Sequence, residues 1–395
     1  MTSNADAVLS PGPPPNRDSE PTTGVDRMVR LIRESWAVVE PHSDDVARFF
    51  YGMLFSLSPA TRELFAVNME VQRSRLLRAL VHVIQMVDRP DELLPFLHQL
   101  GRDHRKFGVI AVHYEAVGTA LLAAIKKYAG DTWTPHVERA WAEAYTVMAS
   151  AMTEAASNDE GPAWYNGEIV QHERLSWDIA VIRIRTDHPV PYHAGQYVSV
   201  EVPQRPRLWR YLTPANAPSD DGTLEFHVRS VHGGWVSRAL VAHARPGDQW
   251  RIGAPMGRLG VDREHGRDVV MVAGGTGLTP MRSIIDDLAQ YGENPRVHLF
   301  YGGRTREDLY ELENLQRVAV SNPWLSVTPV LENDPNVSGV EHGTLAEVVT
   351  RYGGAWEDRD VLVSGSPAMI RATVSKMLVA GTALDRIHYD PFALD

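Results

Sequence analysis

The chain of 395 residues contains no cysteine. This absence excludes disulfide bonds, thiolate catalysis, and zinc or iron–sulfur sites held by cysteine. A metal ion would therefore need histidine, tyrosine or carboxylate ligands, or would be carried inside a cofactor. Positive charge is also scarce, since 39 Lys and Arg stand against 50 Asp and Glu and give a net charge of -11. Such a chain repels polyanions, so we expect no nucleic acid partner.

Long apolar runs are missing too. No stretch has the roughly 18 uncharged residues expected of a membrane-spanning helix, and the N-terminus has no apolar signal-peptide core. We therefore expect a cytoplasmic protein without a transmembrane segment. Hydrophobic residues make up 44% and charged residues 23%, which is the balance of a folded globular chain. Because one compact core rarely holds 395 residues, we expect two or three domains.

Changes in sequence pattern divide the chain into a tail and three domains. Residues 1–24 are rich in proline and small polar residues, a composition that predicts a flexible tail. Residues 25–157 carry apolar side chains three and four apart, which predicts an all-α domain. Alternating polar and apolar residues in 163–264 predict a β-rich domain. In 265–395 short apolar runs alternate with helical segments, as βαβ units require, so an α/β domain is expected.

A glycine-rich turn marks a candidate nucleotide site. The sequence Ala-Gly-Gly-Thr-Gly-Leu-Thr-Pro at 273–280 follows a predicted strand and opens a helix. Its backbone N–H groups could approach a pyrophosphate at the helix N-terminus, although the third glycine of the dinucleotide fingerprint is missing. An ordinary strand-to-helix turn is the alternative. The candidate binding residues are Gly274, Gly275, Thr276, Gly277, Leu278 and Thr279.

Four more motifs accompany this turn in a fixed order. They are Ala-Gly-Gln-Tyr at 194–197, Arg-Tyr-Leu-Thr-Pro-Ala-Asn at 210–216, Gly-Gly-Trp-Val-Ser at 233–237 and Ala-Pro-Met-Gly at 254–257. Together they resemble the ferredoxin-reductase-like flavin and nicotinamide module. The resemblance implies an antiparallel β-barrel that binds FAD, followed by an α/β domain that binds NAD(P). It implies that the flavin is bound by Tyr197, Arg210, Tyr211, Leu212, Thr213, Gly233, Gly234, Val236 and Ser237.

The same resemblance implies individual roles in flavin binding. Arg210 would contact the pyrophosphate and Thr213 the isoalloxazine ring, and the turn 233–237 would open a helix onto phosphate. Leu212 stands where the family usually has tyrosine, which removes a ring that stacks and hydrogen-bonds at the flavin. Residues 387–392 resemble the terminal segment that folds back over the flavin, with Phe392 as aromatic cover and Asp390 as its neighbouring acid.

Arg304 bears on the choice between NADH and NADPH. It follows the second predicted strand of the α/β domain, where a positive charge could meet the adenosine 2′-phosphate of NADPH. A solvated loop arginine is an equally good interpretation. Both nicotinamide cofactors therefore stay open.

One histidine of the all-α domain is a candidate haem ligand. His104 lies in a charged segment but shares a helical stripe with Leu93, Leu97, Leu100 and Phe107, so helical spacing turns it inward. An inward neutral imidazole is the usual proximal ligand of haem iron, and a surface histidine is the alternative. Its charged neighbours are expected to point elsewhere: Arg102, Asp103, Arg105 and Lys106.

The whole all-α region resembles the globin domain of flavohaemoglobins. The resemblance depends on the spacing of Tyr51 and Phe65, fourteen residues apart, and of Gln72 and His104, thirty-two apart. It implies that His104 binds the iron of haem b and that Tyr51 and Gln72 are the distal hydrogen-bond donors. Leu76 would lie over the iron, and Phe65 would pack on the haem.

Tyr114 matches the family tyrosine that orients the ligand histidine on the proximal side together with a glutamate. Ala156 stands at the position expected for that glutamate, and Glu154 would face another side of the helix. Asp103 also replaces the lysine that usually precedes the ligand. The chain is therefore identified as a divergent branch of the family.

The resemblance covers nearly everything from Asp26 onward and implies an NAD(P)H-dependent oxidoreductase. The leading hypothesis is a nitric oxide dioxygenase, which converts nitric oxide and oxygen to nitrate with electrons from NAD(P)H through FAD to haem. A haem-linked NAD(P)H oxidase or reductase for another acceptor is one alternative, and a globin-based oxygen or redox sensor is another. Oxygen and nitric oxide are the expected small-molecule partners, and we expect a monomer.

Overall fold

The structure, a computed structural model, describes residues 24–263, 266–353, 356 and 358–390. The chain divides into two compact units, Met1–Gly101 with Val109–Ala156 and Arg102–Gly108 with Ser157–Asp395. Of the predicted tail, residues 1–24, only Gly24 is described, and it begins the first helix. Phe392, the predicted aromatic cover of the flavin, lies outside the described residues.

The described residues up to position 157 are helical. Their α-helices are α1 (Gly24–Val39), α2 (Ser43–Leu57), α3 (Glu70–Met86), α4 (Pro90–His104), α5 (Ala111–Ala129) and α6 (Pro135–Ser157). Among the described residues, no single helix has both the length and the hydropathy of a membrane span. One pair of helices bent by 112°, Pro90–Phe107 with Ala111–Thr132, meets that criterion only when both are taken together.

The helices form where apolar side chains recur on one face. In α1 the predicted stripe is buried, and Trp36 keeps only 5% of its surface exposed. Asp44 and Asp45 lie in the first turn of α2, where negative charge stabilises the helix N-terminus. One buried polar contact fixes the packing of α1 on α6, since the Trp141 indole donates to the Ser35 hydroxyl at 2.9 Å.

A six-stranded antiparallel sheet, the predicted barrel, follows. Its elements are β1 (Tyr165–Arg174), β2 (Ile179–Thr186), β3 (Val198–Val202), β4 (Arg205–Leu212), β5 (Thr223–Arg229), α7 (Trp235–His243) and β6 (Gln249–Ile252). The strands lie in the order β4-β3-β6-β1-β2-β5. Alternate side chains of each strand fill one core, in which Trp250 and Phe226 stack with ring centroids 6.0 Å apart. The two-residue period of the sequence produces this one-sided core.

The last part of the chain is a parallel sheet with helices on both faces. Its elements are β7 (Val269–Gly274), α8 (Leu278–Leu288), β8 (Val297–Gly303), α9 (Leu312–Ser321), β9 (Leu325–Leu331), β10 (Glu341–His342), α10 (Leu345–Gly353), β11 (Asp360–Ser364), α11 (Pro367–Val379) and β12 (Ile387–His388). The strands lie in the order β10-β9-β8-β7-β11-β12. Strand β7 is buried on both faces, with Met271 in one apolar cluster and Val270 in another. The expected α/β arrangement is therefore present.

Candidate active site

Tyr51 and Phe65 belong to an aromatic cluster of the first unit. Tyr51 lies on α2 with 6% of its surface exposed, and its ring meets Phe65 edge-on at 5.4 Å. Its hydroxyl oxygen lies 3.5 Å from the backbone oxygen of Gln72 on α3. Burial raises the pKa of Tyr51 to about 12, although a hydrogen bond with the Gln72 side chain acts in the opposite direction. The hydroxyl therefore keeps its proton at neutral pH and is available as a donor.

The described residues of the first unit form two apolar clusters, each flanked by half-buried apolar side chains. The larger contains Tyr51, and Phe65 and Leu76 pack against it as half-buried residues. The smaller contains Leu93 and Leu97 of α4. Half-buried apolar surface beside a buried tyrosine hydroxyl suits a flat macrocycle that is held mainly by apolar contacts. These residues therefore fit haem.

His104 is the last residue of α4 and is half-buried. Its ring meets that of Phe107 edge-on, with centroids 6.1 Å apart. Part of the expected stripe is buried on this helix, where Leu93 and Leu97 are 8% and 1% exposed, whereas Phe107 lies in the turn that follows the helix. His104 belongs to the second unit and Tyr51 to the first, so their joint action on one haem stays a prediction.

Tyr114 is held through its backbone. It lies half-buried on α5, and burial raises its pKa. Its carbonyl oxygen accepts a hydrogen bond from the Tyr145 hydroxyl at 2.5 Å. The Tyr145 ring packs so closely on Gly118 that a Cβ there would lie 2.8 Å from a ring carbon. Glu154 is exposed, which agrees with the expectation that it faces another side of α6.

Strand β4 brings the predicted flavin residues to the barrel. Arg210 is half-buried and pairs with Val200 of β3, and its Nη1 donates to the backbone oxygen of Trp209 at 2.9 Å. Leu212 packs against the barrel core, which Tyr211 does not join. Tyr211 instead meets the ring of Tyr197 edge-on at 5.1 Å. Leu212 is thus an apolar wall residue, and the phenol rings of this region come from the neighbouring positions.

The predicted phosphate turn precedes α7. Gly233 has a φ of +75°, a left-handed conformation that glycine adopts without strain. A Cβ on Gly234 would lie 2.6 Å from a methyl carbon of Val231, so the close approach requires glycine. The Ser237 hydroxyl accepts a hydrogen bond from the Val231 N–H at 3.3 Å. Val236 is buried in the barrel core at 1% exposure, so only its backbone could face a cofactor.

Asp390 lies next to Tyr197 and Gly257. A Cβ on Gly257 would be 2.8 Å from a Tyr197 ring carbon and 2.9 Å from Asp390 Oδ1. Asp390 is 7% exposed, and burial raises its pKa to about 7. The structure therefore brings two of the predicted flavin residues together around a glycine.

The glycine-rich turn joins β7 to α8 at the carboxyl end of the parallel sheet. Gly275 has a φ of +55°, and a Cβ on Gly277 would lie 2.5 Å from the Cα of Gly365. Leu278 and Thr279 are buried at 0% and 6% exposure, so they serve the packing of α8. Ligands of open parallel sheets bind at this edge, which is where the turn lies.

Arg304 follows β8 at the same edge of the sheet and is exposed. Its backbone N–H donates to Asp308 Oδ2 at 2.8 Å, and the N–H of Thr305 donates to the same oxygen at 3.1 Å. The side chain of Asp308 thus fixes the backbone of this loop. The guanidinium of Arg304 is left at the surface, where both interpretations of its role stay open.

Each of the three domains matches a known protein family. The globin family matches residues 48–152, the oxidoreductase FAD-binding domain residues 166–260, and the oxidoreductase NAD-binding domain residues 271–375. A flavohemoprotein of Bacillus subtilis is 26% identical over 386 residues, which cover 93% of this chain and 96% of that protein. A flavohemoprotein of Bordetella parapertussis is 29% identical over 92% of this chain and 96% of that protein.

The chain belongs to the flavohaemoprotein family. A solved structure supports the fold, since the flavohemoglobin of Malassezia yamatoensis, with bound FAD and heme, superposes with a TM-score of 0.76. It is 17% identical and covers 92% of this chain and 98% of its own. The predicted fold class is therefore confirmed, with an all-α globin, an antiparallel FAD-binding domain and a parallel NAD-binding domain. The expected oxidoreductase class and the cofactors haem, FAD and nicotinamide are confirmed with it.

Proteins named as reductase components are also similar to this chain, over more than half of its length. The ferredoxin–NAD(P)+ reductase component of a naphthalene 1,2-dioxygenase system from Pseudomonas putida is 31% identical over 228 residues. Those residues are 57% of this chain and 68% of that protein. The similarity supports the identification of the two C-terminal domains as one reductase module.

Sequence reasoning missed one residue beside the predicted iron ligand of this flavohaemoprotein. Lys106 was expected to point away with its charged neighbours, but it is buried at 5% exposure. Its Nζ pairs with the Asp103 carboxylate and donates to the Ser199 hydroxyl at 2.8 Å, and it lies 5.2 Å from the Trp209 ring centre. The helical spacing failed here because α4 ends at His104 and a 3-10 turn follows, which changes the rotation per residue.

Proposed function

We propose that the chain is a nitric oxide dioxygenase, which converts nitric oxide and oxygen to nitrate. When bound, the three cofactors supply a path for electrons from NAD(P)H through FAD to haem. The observation that carries the proposal is the buried Tyr51 hydroxyl beside Gln72, in a chain that also has both reductase domains.

The distal residues hold oxygen by hydrogen bonding. The Tyr51 hydroxyl stays protonated, because burial raises its pKa to about 12, and it lies among apolar rings that exclude water. A hydrogen bond to a partner that gains negative charge contributes roughly 1.5–3 kcal/mol. When haem is bound, Tyr51 and Gln72 would therefore slow the loss of oxygen, and Leu76 would form an apolar wall beside them. When haem is bound, His104 would hold its iron and Tyr114 would orient that histidine.

The reductase residues hold the two nucleotides. Arg210 and the turn 233–237 would bind the FAD phosphates. The residues that would line its ring are Tyr197, Tyr211, Leu212, Thr213 and Asp390. The turn 274–279 and Arg304 receive NADH or NADPH at the edge of the parallel sheet. A guanidinium and backbone N–H groups are the donors that phosphate requires, which supports both assignments.

The nitrate yield tests the proposal. Purified holoprotein, reduced and oxygenated, is mixed with nitric oxide in a stopped-flow device. We expect nitrate in near-stoichiometric amounts together with oxidation of the haem. Slow or absent nitrate formation would contradict the proposal and favour an NAD(P)H oxidase or reductase for another acceptor.

Two structural features favour that alternative as the second candidate. Leu212 takes the place of the family tyrosine, and Glu154 is exposed and does not complete the proximal pair. The alternative predicts that an added one-electron acceptor speeds NAD(P)H oxidation without nitric oxide. The sensor hypothesis fails if electrons pass from NAD(P)H to haem at a rate useful for turnover.

We also propose that the protein acts as a cytoplasmic monomer on small gas molecules. The net charge of -11 supports the absence of a nucleic acid partner. Light scattering should give the mass of one chain, 44.0 kDa plus cofactors. Twice that mass would contradict the monomer.

A further inference from the structure

The outer face of strand β5 is covered rather than exposed. Every second side chain of the strand packs in the barrel core: Leu224, Phe226 and Val228. Glu225, His227 and Arg229 point to the opposite face, as the two-residue period of a strand requires. Glu225 and His227 are nevertheless 5% exposed each. Helix α8 and the segment after β8, both in the nicotinamide-binding domain, supply the residues that meet this face.

The contacts at the first two positions are polar and buried. Glu225 accepts a hydrogen bond from Arg282 of α8 at 2.9 Å and another from Arg183 of β2 at 2.6 Å. His227 Nε2 lies 3.0 Å from Glu225, and His227 Nδ1 lies 2.9 Å from the Tyr310 hydroxyl. Burial alone would raise the pKa of Glu225, but these partners lower it to about 2. The carboxylate is therefore charged and fully paired.

Arg229, at the third position, links the barrel to the loop after β8. Its Nε lies 3.3 Å from Asp178 of the barrel, and its Nη2 lies 2.5 Å from Asp308 Oδ1. The second oxygen of Asp308 accepts the N–H groups of Arg304 and Thr305 at 2.8 and 3.1 Å. One carboxylate thus joins Arg229 to the backbone of the predicted nucleotide loop.

Arg229 also lies against the glycine-rich turn. Its Nη1 is 3.4 Å from the place that a Cβ on Gly275 would occupy. Arg229 is therefore a barrel residue that touches one predicted nucleotide-binding element directly and holds the other through Asp308. The Arg229 side chain is 26% exposed, and the planar fork of its guanidinium can keep several contacts in fixed geometry.

We propose that Arg229 is a positioning residue for hydride transfer from the nicotinamide to the flavin. It holds the turn at Gly275 and the loop at Arg304 in a fixed place relative to the flavin-binding barrel. The transfer would move a hydride, which is one proton with two electrons, from the nicotinamide to the flavin. The inference rests on the proposed binding of the nucleotide at the turn 274–279 and at Arg304.

The two nucleotide-binding elements need such a link because they belong to a different domain from the flavin site. Polar interfaces between domains of one chain permit relative motion. Hydride transfer requires donor and acceptor atoms in near contact, and a displacement of about 1 Å can slow a reaction about a hundredfold. A fixed bridge at the edge of the nucleotide site limits that displacement.

The test is anaerobic reduction of the bound flavin over a range of NADH and NADPH concentrations. The variants are Arg229→Gln, Arg229→Lys and Arg183→Gln, and the last removes an arginine that pairs with Glu225 but touches neither nucleotide element. For Arg229→Gln we expect the limiting rate per bound flavin to fall about tenfold or more, with a smaller change in the half-saturating nucleotide concentration. Arg229→Lys should recover part of the rate because it keeps the positive charge. Arg183→Gln should have the same limiting rate as the wild type.

A purely structural role would have a different signature. Arg229→Gln would then lose flavin or thermal stability, while the limiting rate per bound flavin equalled that of the wild type, and that result would overturn the inference. If Arg229→Gln does not fold, Asp308→Asn serves as the second variant, with the same expected fall in rate. Because neither oxygen nor nitric oxide is present, failure here is separate from failure of the dioxygenase proposal. If neither NADH nor NADPH reduces the bound flavin of the wild-type protein, the proposed nucleotide site is wrong, and so is the inference that rests on it.

Discussion

Gly101 of α4 lies directly against the backbone of Met152 on α6. A Cβ at position 101 would be 2.7 Å from the Met152 Cα, which is a backbone atom and cannot rotate away. The two helices therefore approach as closely as they do only because residue 101 has no side chain. Three residues later α4 ends at His104, so this contact also fixes the helix that carries the predicted iron ligand.

We predict that Gly101→Ala separates α4 from α6 and lowers the free energy of unfolding by about 1–3 kcal/mol, as overpacking usually does. Haem should also dissociate faster from the variant. Gly52→Ala is the matched control, because Gly52 lies inside α2 and a Cβ there would meet nothing within 4 Å. That change should stabilise the protein by up to about 1 kcal/mol. Urea unfolding of both variants checks the prediction, and equal effects would contradict it.

Tyr51→Phe should weaken the retention of oxygen. The substitution removes the protonated hydroxyl and keeps the buried ring, so loss of one hydrogen bond should speed oxygen dissociation about tenfold or more. Nitrate yield should fall with it. Tyr128→Phe, a half-buried tyrosine that stacks on His42, is the control and should change neither. If oxygen dissociates from Tyr51→Phe at the wild-type rate, Tyr51 is not a hydrogen-bond donor to the bound oxygen.

Asp390 should make stability depend on pH. Its pKa rises from an ordinary value near 3.8 to about 7 in the folded chain, because burial disfavours the charged form. A raised pKa favours folding while the group is protonated, so stability falls as the pH rises from about 4 through 7. The free energy of unfolding of Asp390→Asn should not show this fall, which amounts to at most about 4 kcal/mol in the wild type.

Thermal unfolding of the holoprotein between pH 5 and pH 8 measures this dependence. Asp385→Asn is the control, because Asp385 is an exposed acid of the same terminal segment. We expect its pH profile to match that of the wild type. If Asp390→Asn also follows the wild type, Asp390 does not titrate as described.

The strongest periodic patterns in the sequence predicted the fold. Residues whose burial the sequence did not predict are buried by contacts with other segments of the chain. Leu93 and Leu97 are buried on α4 as the helical stripe predicts. Glu225 and His227 sit at positions where alternation predicts solvent, and they are buried because α8 and the Tyr310 segment cover them. Periodicity describes one element, whereas this burial depends on contacts between elements distant in sequence.

In the candidate site, too, the sequence predicted features of single segments but not contacts between distant segments. The glycine motifs could be read from the sequence because φ angles of +75° at Gly233 and +55° at Gly275 favour that residue type. The burial of Lys106 could not be predicted, since a lysine among other charged residues gives no sign in the sequence that it is buried. Arg229 could not be read either, because its partners Asp178 and Asp308 lie 51 and 79 residues away along the chain. The domain bounds 25–157, 163–264 and 265–395 stay predictions.

The absorption spectrum of His104→Ala tests the central claim most directly. The variant is compared with the wild type and with His98→Ala, which removes another half-buried histidine of the same helix. If His104 holds the haem iron, His104→Ala loses the Soret band while keeping its flavin absorption, and His98→Ala keeps both. A Soret band of full strength and unshifted position in His104→Ala would contradict the account.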